Sequence, residues 1–142
     1  MNIYRLGQDY RGVLTKATWL PQLDQAVAHL FELKQEISIT LVSAVVSRRL
    51  NRIYRGKDKA TDVLSFRLAE NKKSAVLGEL IICYPVIVRQ AREHKHSIQR
   101  ELAIMTIHGT LHLLGHDHEK QAQAKRMEKQ ERLLLAELST LR

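Results

Sequence analysis

One cysteine, two prolines and an aromatic share of 5% give this 142-residue chain little to build with beyond ordinary helices and sheets. Cys83 has no intramolecular partner for a disulfide, and its place after Leu80, Ile81 and Ile82 reads as a buried strand residue rather than a catalytic thiol. So few aromatics argue against a stacking platform for bases and favour contacts to phosphate. No apolar run reaches the roughly 18 residues of a membrane span, so no membrane partner is expected. The N-terminal MNIYRLGQDYRG has neither the apolar stretch nor the small-residue cleavage site of a secretion signal, which gives a cytoplasmic expectation. Acidic residues are also scarce, 15 against 23 Lys and Arg, for a net charge of +8 and a pI near 9.9. A charge of that sign and size favours a polyanionic partner, nucleic acid ahead of anionic lipid, with binding that weakens as salt rises. Hydrophobic and charged contents of 44% and 27% are those of an ordinary globular protein, and the length suits a single domain over 1–142.

Periodicity places the elements. Ile3, Tyr4 and Leu6 form a short strand, and Thr15 or Thr18 caps a helix to about Leu33 with Trp19, Leu23, Val27 and Leu30 inward. EISITLV at 36–42 is a strand with β-branched Ile37, Ile39 and Val42. Ser43 then caps a basic helix to about Tyr54, with Val45, Val46, Leu50 and Ile53 at helical spacing and Arg48, Arg49, Arg52 and Arg55 on the remaining surface. TDVLSF and VLGELIIC (76–83) are strands, the second apolar enough to suggest burial on both faces mid-sheet. Pro85 opens a helix to about His96, Ser97 caps a central helix, and Glu119 to Leu141 forms a long amphipathic helix with a solvated charged face. The fold class is therefore α+β, a small mixed sheet of about four strands packed with about five helices.

Four of the seven histidines fall within HGTLHLLGHDH at 108–118. His108 and His112 are one helical turn apart, so their rings lie on one face and can converge. Gly115 supplies the residue that most easily turns left-handed at a helix end, returning His118 to the same point. Three histidines leave an open fourth position on one zinc ion, the arrangement of a catalytic site, and the expected location is the C-terminal end of the central helix. Zinc lowers the pKa of bound water to about 7 and polarises carbonyl or phosphoryl oxygens, so hydrolysis is the natural chemistry. A zinc peptidase of the HExxH type needs Glu beside the first histidine, and here that residue is Gly109. His116 and Asp117 are candidates to orient a ligand or move a proton, and read equally well as a polar turn.

A second cluster precedes a strand: LNRIYRGKDKATDVLSF, 50–66, gathers Arg52, Arg55, Lys57 and Lys59. Guanidinium groups grip phosphate oxygens in pairs, although a charge run of this kind also serves simply to keep a loop soluble. With Arg48 and Arg49 these residues are the candidate nucleic-acid contacts. Together with the histidine spacing H-x-x-x-H-x-x-x-x-x-H, this segment resembles the YbeY family of bacterial zinc-dependent endoribonucleases. The matching residues are Leu50, Asn51, Tyr54, Arg55, Lys57, Asp58 and Thr61 to Phe66, with LGELII similar to an LGD-like strand of the family. Most of 36–120 takes part. Departures are Glu79 in place of Asp, Ala60 and Arg67 where proline is common, and His116 where tyrosine is frequent.

The resemblance implies a single-strand-specific endoribonuclease that matures ribosomal RNA, especially the 3′ end of the small-subunit rRNA, and takes part in ribosome quality control. It implies zinc on His108, His112 and His118, an activity-bearing Arg55, and ribosomal subunits or ribosomal proteins as partners. Glu79, His116 and Asp117 are the candidates for a general base, and water and the RNA's own 2′-hydroxyl remain alternative nucleophiles. From a different class, the rival is a non-catalytic ribosome-assembly factor with a structural zinc; a peptidase comes third.

Overall fold

The computed structural model describes residues 3–8, 10, 12–116 and 120–141. Among them the elements run β1 (Tyr4–Leu6), α1 (Trp19–Leu30), β2 (Glu36–Val42), α2 (Ala44–Arg55), β3 (Val63–Arg67), β4 (Val76–Cys83), α3 (Tyr84–His94), α4 (Ile98–Leu113) and α5 (Gln121–Ala136), followed by a 3-10 turn at Ser139–Leu141. The four strands are ordered β1-β2-β4-β3. β1 and β4 run parallel to β2, and β3 runs antiparallel to β4, so the sheet is mixed and the α+β expectation holds. No helix is long and apolar enough to cross a membrane among the described residues.

Register decides which face is core. Ile37, Ile39 and Leu41 stand beside Gly78, Leu80 and Ile82, and all but the glycine are buried side chains of the main hydrophobic cluster. That face receives α4. At Gly78 an added Cβ would run into the Phe66 carbonyl and the Leu113 side chain, and at Gly109 it would meet Leu80 Cδ2 at 2.8 Å and Ser65 Oγ at 3.2 Å. Helix and sheet thus touch through two glycines, one on each partner. The opposite face carries Ser38, Thr40, Glu79 and Ile81, all only half-buried. β4 is therefore central, as its composition suggests, but its Glu79 and Ile81 are only half-buried, because α2 covers the opposite face only in part, its Tyr54 ring meeting Phe66. Leu41, and not the β-branched Val42, shares the inward face of β2.

Several boundaries differ from expectation. α1 ends at Leu30, where Phe31 caps it and Glu32 adopts φ 50°, and Thr18 makes no side-chain capping bond because its backbone is itself helical. α3 stops at His94, where Lys95 turns left-handed. α5 stops at Ala136, after which Leu138 turns into the core. Ser43 and Ser97 do cap α2 and α4, accepting from Val46 N at 3.3 Å and Arg100 N at 3.0 Å.

The largest reversal is in α2. Val45, Val46 and Ile53 are exposed, and the buried side chains of this helix are Ser47 and Asn51. The 57–61 loop packs there with backbone groups that need partners. Ser47 Oγ donates to the Thr61 carbonyl at 3.1 Å and accepts from Thr61 N at 3.0 Å, and Asn51 Nδ2 donates to the Lys59 carbonyl at 2.9 Å. Satisfying buried backbone groups outranks burying three apolar side chains.

β1 is held to β2 by its strand pairing and to α1 by one side chain. Asp24 on α1 is 4% exposed and its Oδ2 accepts from Ile3 N at 3.0 Å and Tyr4 N at 2.9 Å. Tyr4 in turn reaches Thr110 on α4, hydroxyl to hydroxyl at 2.8 Å, and burial drives its phenol well above the usual range. Replacing Asp24 with Asn keeps the shape and removes the charge from two hydrogen bonds. Destabilisation of about 1–2 kcal/mol is expected, read as a lower denaturation midpoint at unchanged m-value.

Candidate metal centre and basic surface

α4 is the central helix, with Leu102, Ala103, Thr106, Ile107, Gly109, Thr110 and Leu111 buried. Its His108 and His112 leave the core toward α5. Their ring centroids lie 4.7 Å apart at 76°, and Nε2 faces Nε2 at 3.1 Å. The edge of a zinc tetrahedron with Zn–N bonds of 2.0–2.1 Å is about 3.3 Å. The donor pair therefore fits such an ion with little movement. Behind His108, Nδ1 meets Glu131 Oε1 of α5 at 3.2 Å. That carboxylate is the kind of partner that fixes the orientation of a ligating imidazole.

The helix end behaves as its sequence suggests. Gly115 has φ 93°, its N–H donates to the His112 carbonyl at 3.0 Å, and His116 N–H donates to the Leu111 carbonyl at 2.9 Å. This pair of bonds reverses the chain just after the second histidine. Arg67 Nη1 caps the Leu113 carbonyl at 2.6 Å, a bond that a residue without a side-chain donor could not make. The third histidine, His118, and the candidate Asp117 lie outside the described residues. His116 directs its ring edge at Phe31, centroids 6.0 Å apart. Glu79 is not brought to the histidines: the alternation of β4 sets its side chain on the face opposite Gly78 and Leu80, which pack against α4. Gly109 also acquires a structural reason, since position 109 points into the sheet.

The basic cluster separates into two kinds of residue. Arg48 forms a two-pronged pair with Asp58, Nε to Oδ1 at 2.8 Å and Nη2 to Oδ2 at 3.0 Å. The hydrogen bonds from Arg48 hold the Asp58 carboxyl below the usual carboxylate range. Arg49, Arg52, Arg55, Lys57 and Lys59 are exposed. Arg55 closes α2, where Gly56 at φ 70° turns the chain and Tyr54 sets its ring edge against Phe66 at 5.1 Å.

Two features escape a reading from sequence alone. Glu131 falls with Met127 and Leu134 on the buried stripe of α5, so a carboxylate at a core-facing position was the available signal. Among the described residues, His94, His96 and Glu101 also come together, with ligand atoms all within 4.8 Å of one another, and can hold a metal ion. Their signal was the H-x-H spacing ahead of a glutamate in the first turn of the next helix.

The model of the family described as endoribonuclease YbeY matches residues 8–139. A relative of that name from Moorella thermoacetica is 39% identical over 143 residues, covering 94% of this chain and 89% of the relative. One from Carboxydothermus hydrogenoformans is 48% identical over 101 residues, 70% of this chain and 71% of the relative. Among solved structures, the solution structure of TM1509 from Thermotoga maritima superposes with a TM-score of 0.66 at 30% identity, covering 96% of this chain and 89% of that one. With the family pattern running nearly end to end over a matching fold, the chain belongs to the YbeY endoribonuclease family.

Proposed function

We propose that this YbeY-family endoribonuclease is a single domain over 1–142 that cuts single-stranded RNA at a zinc centre held by His108, His112 and His118, in the cytoplasm, during ribosomal RNA maturation and ribosome quality control. The observation that carries the reading is the converging Nε2 pair of His108 and His112 with Glu131 behind it. When bound, one zinc ion there supplies a water of lowered pKa and a polarising charge for a phosphoryl oxygen. Arg55 steadies the negative charge gathering on the scissile phosphate. Arg48, Arg49, Arg52, Lys57 and Lys59 hold the RNA backbone, Arg48 to a lesser degree because Asp58 already occupies it. Glu131 fixes the His108 ring, so Glu131→Gln is expected to weaken zinc binding roughly 10-fold, measured by competition with a chromophoric chelator. An unchanged affinity would remove Glu131 from the site.

The test is cleavage of single-stranded rRNA fragments by purified protein, with and without metal. A second reading, a non-catalytic assembly factor that docks on the ribosomal subunit or a ribosomal protein, is favoured by exposed Val45, Ile53 and Tyr54 beside the arginines of α2. It predicts subunit binding with no cleavage. A peptidase has no such support, because position 109 faces the sheet.

A further inference from the structure

The corner between α3 and α4 is built around a carboxylate that the proposed RNA chemistry does not use. Glu101, in the first turn of α4, is 1% exposed. Its Oε1 meets His94 Nδ1 at 2.7 Å, and its Oε2 lies 3.4 Å from His96 Nδ1. Oε2 is fully buried yet has no hydrogen-bond partner among the described residues. A single ion pair with one histidine would account for one oxygen only. The second oxygen and the second imidazole need another explanation, since a buried unsatisfied carboxylate oxygen is costly.

The backbone is arranged to bring these groups together. His94 ends α3, Lys95 takes φ 58° and ψ 38°, and Ser97 caps α4, so the two imidazoles fall on the same side of a two-residue corner. A left-handed conformation at a non-glycine residue is uncommon, and Lys95 is one of two such residues described. The rings stand 5.9 Å apart at 56°, each presenting its Nδ1 edge to Glu101. Two imidazole nitrogens and a carboxylate oxygen are a borderline donor set that suits zinc.

We propose that His94, His96 and Glu101 form a second zinc site, separate from the histidine triad, that pins the end of α3 to the start of α4. All three ligand atoms lie within 4.8 Å of one another, so contraction toward tetrahedral edges of about 3.3 Å is a small movement of two exposed side chains. The ion binds the Nδ1 lone pairs of the two neutral imidazoles, each keeping its proton on Nε2, and gives Oε2 the partner it lacks. Glu101 and His108 are seven residues apart on one helix, about 10 Å along its axis. One ion cannot serve both centres.

The test is zinc per chain, by elemental mass spectrometry after dialysis against a weak chelator. His94→Ala/His96→Ala is chosen because both side chains are solvent-accessible, with Glu101 left in place. This variant is expected to bind one ion fewer than wild type. His108→Ala/His112→Ala should keep one ion and still gain thermal stability on adding zinc sulfate, and the quadruple variant should do neither. If the triad variant does not fold, the wild-type and His94→Ala/His96→Ala counts decide the question alone. An equal zinc content in those two proteins would overturn the second site.

Discussion

His112→Ala is expected to lower cleavage of single-stranded RNA by on the order of 10³-fold, with circular dichroism close to wild type and a denaturation midpoint that matches wild type when both are metal-free. The side chain is only partly buried, and α4 is held by Leu102, Ile107, Leu111 and Leu113 rather than by its histidines. What the substitution removes is one of two imidazole nitrogens that stand 3.1 Å apart. A three-ligand centre cut to two holds its ion poorly, so metal content and activity should fall together. Full activity in a metal-free His112→Ala protein would place the chemistry elsewhere.

Arg55→Ala is expected to reduce kcat by about 100-fold while stability changes by no more than about 0.5 kcal/mol. Arg55 is exposed at the end of α2 and heads no part of the core. Its proposed work is electrostatic and bidentate, so Arg55→Lys should recover only part of the loss. Arg48→Ala is the internal comparison: its guanidinium is already gripped by Asp58 through two hydrogen bonds, and its effect on cleavage should be much smaller. Equal losses for the two variants would point to general RNA attraction and not to a particular role for Arg55.

The contrast between α4 and α2 shows what could be read in advance. The α4 histidine pair depends on helical period, and the chain reversal after it on one glycine; both are local, and both are legible in HGTLHLLG. The strand 36–42 was equally plain because its alternation and its capping serine agree. The inward face of α2 departs from its apolar spacing because the deciding bonds run from Ser47 and Asn51 to a loop 8 to 14 residues away, and periodicity carries no record of such partners. Glu131 reaches His108 across 23 residues. Glu101, His94 and His96 meet only because Lys95 accepts a left-handed backbone. Local chemistry was visible, and its long-range supports were not. The family resemblance supplied the RNA substrate, which no spacing in this chain specifies.

The central claim is tested most directly by incubating the purified chain with matched single-stranded and duplex RNA in three states: as zinc-loaded protein, after chelation, and after zinc is restored. Zinc-loaded protein is expected to cut the single strand and spare the duplex, chelation to abolish cutting, and restored zinc to return it. Intact single-stranded RNA after exposure to the zinc-loaded protein, or undiminished cutting by the chelated one, would contradict the claim.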